Sequence, residues 1–465
     1  MSKLKETLAK QIPQLRQERK DIIDKWGEHV VGEVTVEQLF GGMRGIKSVV
    51  CDTSVVEPDD GVIIRGIPIA KLQDRLPEEI LWLMLTGKLP SADELKDLQT
   101  DLKNRTSVPA YVFKLIDELP DDTHPMTLLN TAILGMQRES KFAKAYMEGL
   151  SKTDHWQAVL EDSLNLIAGI TSIAAYVYHR KYRKGSPWQP DQSSDWAGSF
   201  ARMLQISKTE EFEKMMRLYM TLHADHEGGN VSAFTCQVAA SALADPYYSV
   251  SAGLNGLAGP LHGLANQESL RFLLEMQREV GERPSDDAVR KYVWDLLNAK
   301  RVIPGYGHAV LRSTDPRFVA LYDFGSKRFA KDPLFDLMAR CYRLVPEILL
   351  EQGKVKSPYP NVDAGSGVIL WHYGLKQFDY YTVLFSVSRA LGMLAQTILN
   401  RALMTPILRP KSVSTAMVQT EINKSFATHV SESVNAASHL SDPQNQVWHQ
   451  HGFVEERPSA APAPH

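Results

Sequence analysis

The chain is short of cysteine, of long uncharged runs and of any surplus of one charge, and each shortage removes a class of protein. Its three cysteines, Cys51, Cys236 and Cys341, lie far apart with no paired spacing, which argues for a reducing compartment and against a disulfide framework or a zinc knuckle. No uncharged run is long enough to cross a bilayer. Lys plus Arg number 52 against 55 for Asp plus Glu, a formal net charge of -3. That balance gives no general reason to expect a nucleic-acid or anionic-membrane partner, so any anion site must be local. The phosphate-binding patterns GxGxxG and GxxxxGK[ST] are missing, as is GxSxG. Dinucleotide hydride transfer, P-loop chemistry and serine hydrolysis therefore lose their usual signatures. The opening MSKLKETLAKQIPQL carries early acidic groups and no apolar core, so no export or transit signal is expected.

What is present is ordinary soluble-protein material. Hydrophobic residues make up 43% and charged residues 23% of 465, enough for two lobes or one large helical body. Residues 1–31 read as a charged amphipathic helix on Leu4, Leu8, Ile12 and Leu15. SVV and VIIRG flank the turn EPDDG and suggest a small hairpin near the N-terminus. From there helical signals dominate. Pro77 opens a helix that Gly87 stops, and Ser91 with Glu94 forms a capping box. Leu160, Leu164 and Ile167 keep the spacing of one buried face, and 184–196 reads as a polar surface loop. The run YYTVLFSVSRALGMLAQTIL is a core helix with one charge, Arg389, that must find partners, because an unpaired buried guanidinium costs several kcal/mol. The expected class is mainly α: a large helical domain over 1–262, a small helical domain over 263–375, a return to the large domain over 376–424, and a disordered tail over 425–465.

Four glycine-bearing segments carry the chemistry. LHADHEGGNVSA at 222–233 holds His223 and His226, a spacing a metal could use; no third ligand is near, and no metal is expected. NGLAGPLHGLANQ at 255–267 sets His262 at a tight corner between Gly259-Pro260 and Gly263. RVIPGYGHAVLRSTDPR at 301–317 sets His308 after a constrained backbone suited to lying along an extended ligand, followed by Arg312 and Arg317. SPYPNVDAGSGV at 357–368 holds Asp363, although an aspartate in such a loop is often only a turn former. Two histidines and a carboxylate fit proton removal by the carboxylate, with the imidazoles donating hydrogen bonds to carbonyl oxygens. Arg317, Arg389 and Arg409 could then hold a small dicarboxylate.

DHEGGNVSA, NGLAGPLHGLANQ, PGYGHAVLR and PNVDA, in this order and from about residue 41 to 415, resemble the citrate synthase family, the type of mitochondria and some bacteria. The resemblance implies an almost wholly helical homodimer that closes over oxaloacetate, condenses it with acetyl-CoA and needs no cofactor, acetyl-CoA being a substrate. It implies entry of acetyl groups into the tricarboxylic acid cycle, in a bacterial cytoplasm or a mitochondrial matrix. By the same resemblance Asp363 is the base, His262 the donor to the thioester oxygen and His308 the donor to the ketone. His226, Asn230, His308, Arg317, Arg389 and Arg409 would bind oxaloacetate, with Arg409 reaching the partner's site. Coenzyme A would lie along Val302, Ile303, Pro304, Gly305, Tyr306 and Gly307 and meet Arg44, Arg312, Lys354 and Lys356. Three positions depart from the family's pattern: Gly365 replaces a histidine after Asp363-Ala364, Phe234 replaces another, and Lys152 stands at a frequent arginine. The first two leave propionyl-CoA, and so 2-methylcitrate synthesis, as an alternative; a noncatalytic helical dimer is the remaining one.

Overall fold

The computed structural model describes residues 2–183, 185, 189–308, 310–355 and 357–424. The described chain divides into two units, one drawn from Met1–Val31 and Lys47–Leu408 and the other from Gly32–Ile46 and the described residues after Leu408. The first unit opens with α1 (Lys3–Trp26), which buries Leu4, Leu8 and Ile12. The expected hairpin is β1 (Ser54–Glu57) paired antiparallel with β2 (Gly61–Ile64), and a two-residue β3 (Ile67–Pro68) adds an edge. In the second unit α2 (Val36–Phe40) carries a capping box between Thr35 and Gln38, and residues 415–424 are helical.

Helices then follow in close order. Pro77 starts α3 (Pro77–Thr86) and Gly87, at φ 78°, ends it; the Ser91–Glu94 capping box starts α4 (Ala92–Asn104). Next come α5 (Ala110–Asp117), α6 (Pro125–Met136), α7 (Lys141–Met147) and α8 (His155–Tyr178). They are followed by α9 (Trp196–Leu204), α10 (Glu210–Leu222), α11 (Val231–Ser241) and α12 (Pro246–Leu257). The span 263–375 contains α13 (Ala265–Val280), α14 (Asp286–Asn298), α15 (Pro316–Phe329), α16 (Pro333–Gln352) and α17 (Asp363–His372), packed on one another. The chain returns in α18 (Tyr381–Ala402). Residues 1, 184, 186–188, 309, 356 and the tail 425–465 lie outside the described residues.

The core of the first unit is built on α8 and α18, which pack together and carry α3, α6, α9, α10, α11 and α12 around them. The spans His155–Arg183 and Phe378–Ala402 are long and apolar enough to cross a bilayer, yet 83% and 94% of their apolar windows are buried in the protein. They are core helices: an all-round apolar surface is satisfied here by neighbouring helices. Leu160, Leu164 and Ile167 lie fully inside, as their spacing predicted.

Candidate active site

His262 sits between α12 and α13, where the chain turns through a series of short backbone bonds. Its N–H reaches Gly259 O at 3.0 Å, and Gly263 N–H reaches Leu257 O at 3.0 Å. A Cβ at residue 263 would stand 2.2 Å from Leu257 O and 2.9 Å from Thr382 Cγ2, so the turn tolerates only glycine. His262 Nε2 lies 3.3 Å from the backbone N of Ser232 and 2.9 Å from Ser232 Oγ. A backbone N–H can only donate, so Nε2 is assigned as acceptor and the ring proton to Nδ1. Burial, then the charge of Arg389, pushes the imidazole down to about 4. It is neutral at physiological pH.

The segments that carry His308 and Asp363 are joined by backbone pairing between 305–307 and 359–361. Gly307 N–H donates to Tyr359 O at 3.0 Å, and Asn361 N–H donates to Gly305 O at 2.9 Å. Asn361 then spans both strands: its Nδ2 donates to Gly307 O at 3.0 Å and its Oδ1 accepts the N–H of Asp363 at 3.0 Å. Gly305, at φ 81°, lies against α13 and α17, where a Cβ would meet Ser269 Oγ at 2.6 Å and Ala364 Cα at 2.8 Å. His308 Nδ1 accepts the N–H groups of Val310 and Leu311, each at 3.0 Å. The proton is therefore on Nε2, free to donate. Burial and Arg317 push His308 down to about 4 as well.

Asp363 opens α17, where the helix dipole favours its anion. Burial opposes this and prevails, raising the carboxyl to about 6 while Arg317 and Arg389 pull the other way. His226 faces His308 with ring centroids 5.7 Å apart, and burial with Arg317 and Arg389 holds it well below its usual range. The same two guanidinium groups thus act on Asp363 and His226, and one of them on each of the other histidines. Uncharged imidazoles and a carboxylate of raised basicity, each within the field of Arg317, Arg389 or both, are the groups needed to deprotonate carbon next to a carbonyl and stabilise the resulting oxyanion.

Arg389, 2% exposed in the middle of α18, is satisfied by the loop after α10. Its Nε donates to His223 O at 3.1 Å, its Nη1 to Asn230 Oδ1 at 3.3 Å, and its guanidinium lies 4.8 Å from the Phe385 ring centroid. Burial lowers it to about 10, which leaves it charged. Asn230 also caps α11 through Ala233 N–H at 3.1 Å, accepts from Ser232 Oγ at 2.8 Å and donates to His226 O at 2.9 Å. Arg317 is buried against Asp315, with Nη2 to Oδ2 at 2.7 Å. Burial alone would raise Asp315, but the charge of Arg317 outweighs it.

The other expected residues are more scattered. Val302 is 82% exposed, Ile303 is buried, and Pro304, Tyr306 and Gly307 are half-buried along the same segment. Arg312 is exposed, with its N–H on Pro58 O at 2.7 Å and Nη1 on Leu311 O at 2.8 Å; Lys354 is exposed, and Lys356 lies outside the described residues. Arg44 and Arg409 belong to the second unit, where the carbonyl of Arg44 accepts Gln38 Nε2 at 3.2 Å. Lys152 borders a cavity of about 690 Å³ with Arg19, Arg65 and His155, and none of His262, His308 and Asp363 lines it. Gly365 backs onto the core instead of the cleft: a Cβ there would meet the Phe318 ring at 3.1 Å and Met338 Sδ at 3.4 Å.

Sequence reasoning missed the supports. Asp225 is buried and accepts Thr53 Oγ1 at 2.5 Å, Ser54 Oγ at 2.9 Å and Gln396 Nε2 at 2.9 Å, tying the loop after α10 to β1 and α18. Gly392 lets that loop approach, with its N–H on Ala224 O at 3.0 Å. Asp315, Asn361 and Tyr219, which stacks on His223 at 4.1 Å, were likewise unmarked. Asp225 could have been noticed as the acid inside the His223–His226 motif; the rest gave no local signal.

A family model described as citrate synthase, C-terminal domain, matches residues 42–411. Citrate synthases are also found among the most similar solved structures. That of Pyrobaculum aerophilum is 27% identical, covers 83% of this chain and 95% of its own, and superposes with a TM-score of 0.73. That of Thermotoga maritima MSB8 is 24% identical over 82% and 96%, with a TM-score of 0.67. A ternary complex of carboxymethyl coenzyme A and oxaloacetate with the Thermoplasma acidophilum enzyme is 23% identical over 82% and 97%, with a TM-score of 0.70. The two matches below 25% speak to the fold. The protein is thus an acyltransferase of mainly helical fold. It belongs to the citrate synthase family.

Proposed function

We propose that the protein condenses acetyl-CoA with oxaloacetate and water to give citrate and free coenzyme A. Asp363 takes a proton from the methyl carbon of the thioester, while the Nδ1–H of His262 donates to the thioester oxygen and stabilises the enol or enolate. The Nε2–H of His308 polarises the ketone of oxaloacetate; the carbon nucleophile adds to it, and water cleaves the citryl thioester. A thioester α-proton is a poor acid, so the step needs the oxyanion stabilised as the proton leaves. Arg317 and Arg389 pair with the carboxylates of oxaloacetate, assisted by His226. Asn230 completes the oxaloacetate set beside Arg389, and Arg409 acts on the partner subunit's site. Coenzyme A lies along 302–307, with Arg44, Arg312, Lys354 and Lys356 toward its phosphates. The division into lobes at 263–375, the homodimer and a role in the tricarboxylic acid cycle belong to the same proposal.

The observation that carries the reading is the charge state of the trio: two neutral imidazoles with assigned N–H donors and a carboxyl raised to about 6. The test is thiol release with purified protein. Asp363→Ala should lose turnover by about 10³-fold or more, with oxaloacetate binding largely kept; unchanged turnover would refute the assigned base. Acetyl-CoA and propionyl-CoA are compared in the same assay, because one methylene is worth only about 1–3 kcal/mol. A kcat/KM in favour of propionyl-CoA would replace citrate by 2-methylcitrate as the product.

A further inference from the structure

Away from the cleft, the buried carboxylate of Glu78 forms no ion pair among the described residues. Glu78, on the first turn of α3, is 2% exposed. Its Oε1 accepts the backbone N–H of Trp196 at 2.9 Å and the amide of Gln99 at 3.4 Å, whereas Oε2 is buried with no partner. Ser194, on the approach to α9, buries an Oγ that is likewise without a partner. Both residues line a cavity of about 20 Å³, bordered also by Gln99, Thr171, Asp195 and Ser199 and large enough for one water-sized occupant. The packing is cut to admit the hydroxyl: a Cβ on Gly198 would stand 2.4 Å from Ser194 Oγ.

The neighbouring charges deepen the deficit. Asp195 has the same sign as Glu78 and acts to raise it, in addition to burial. Asp195 is itself engaged, with Oδ1 capping Gly198 N–H at 2.9 Å and Oδ2 paired to Arg217 at 2.8 Å. Arg202 is taken by Asp191 and Glu213, and Arg217 also by Glu213. Lys103 borders the cavity without an ion pair to Glu78. Burial and then Asp195 raise Glu78 to about 7; above that pH a water in the cavity would satisfy the two orphaned oxygens but leave the ionised carboxylate uncompensated, which is costly in a dry interior. Divalent ions need more carboxylate oxygens than this, and among the described residues no group of three His, Cys, Asp or Glu is arranged to hold one.

We propose that this cavity binds one monovalent cation of the sodium, potassium or ammonium class, held between Glu78 Oε2 and Ser194 Oγ. The ion locks the start of α9 onto α3 and α4, adding to the Trp196 backbone bond on Glu78 and its indole bond to Ile167 O at 2.9 Å. Because α9 packs on α10, whose end leads into the His223–His226 loop, the site stabilises the large helical body without touching the reacting groups.

The test uses the full chain in sodium, potassium, ammonium and tetramethylammonium chloride at one ionic strength. At least one small cation should raise the thermal midpoint by several degrees over tetramethylammonium, which is too large for the cavity. Glu78→Gln should abolish that difference, and Ser194→Ala, which keeps the carboxylate, should reduce it. Crystals grown with thallium(I) acetate should show an anomalous peak between the two side chains. Equal midpoints in all four salts, an undiminished response in Glu78→Gln, or a water with no anomalous signal at that position would each overturn the proposal.

Discussion

At the scale of the residue, the reactive carboxylate carries a thermodynamic signature separate from catalysis. Asp363 is raised from 3.8 to about 6 by burial, so the folded protein holds its proton more tightly than the unfolded chain. The stabilisation this brings is fully present below pH 3.8 and lost as pH rises through 6. Asp363→Asn, which removes the charge, is therefore expected to be more stable than wild type at pH 8, by about 1–3 kcal/mol, and equally stable near pH 3.5. Denaturant titrations at the two pH values check this; a variant less stable at pH 8 would contradict the burial argument. Activity should run oppositely in the wild type, with kcat/KM rising through an apparent pKa near 6 as the base ionises. The histidines, already neutral above about 4, should add no limb between pH 5 and 8. Arg389 shows what was legible at this scale. A lone charge in an apolar helix announces that partners exist, but not that they are a backbone carbonyl and an asparagine more than 150 residues earlier.

Elements were legible where their signals are local. Capping residues, a proline start and a glycine stop marked α3 and α4 because those groups satisfy the helix's own terminal N–H and C=O groups. Pairing of 305–307 with 359–361 was not legible, since it joins irregular segments that carry no periodicity. The same holds for close approach between elements. A Cβ at Gly392 would stand 2.4 Å from Asp225 Oδ1 and 2.5 Å from Ala224 O, and both neighbours are pinned. Gly392→Ala is accordingly expected to cost about 1–3 kcal/mol or more by overpacking, despite alanine's better helix propensity. Because the loop it displaces carries His226 and holds Arg389, KM for oxaloacetate should rise with the loss of stability. Thermal unfolding and steady-state kinetics together check it. A gain in stability, as propensity alone would give, would show that the loop is free to move.

For the whole molecule, burial within one chain leaves apolar groups uncovered. Val231, Val238 and Leu243 on and after α11, Tyr248 on α12 and Leu134 on α6 are between 39% and 53% exposed, and α12 packs against both α6 and α11. On neighbouring helices, these groups offer apolar surface that the proposed dimer would cover; light scattering on the purified chain should give twice 52.1 kDa. The distribution of the proposed substrate groups then sets a motion. His226 and Arg389 are carried by 1–262 and 376–424, whereas His308, Arg317 and Asp363 are carried by 263–375, and the chain passes between these spans only at 262–264 and at 373–376. Gly374, at φ 100°, sits at the second crossing. His226 and His308, one from each span, have ring centroids 5.7 Å apart in the structure; oxaloacetate bound by groups from both spans should favour this arrangement over more open ones in solution, because it gives the ligand its full set of partners. Small-angle scattering is expected to show a smaller radius of gyration with oxaloacetate than without it, and Arg389→Gln, which removes the charge on one side, should shrink that difference. Identical profiles at saturating oxaloacetate would mean that the groups already converge in the free protein, and that exclusion of water from the proposed condensation depends on coenzyme binding alone.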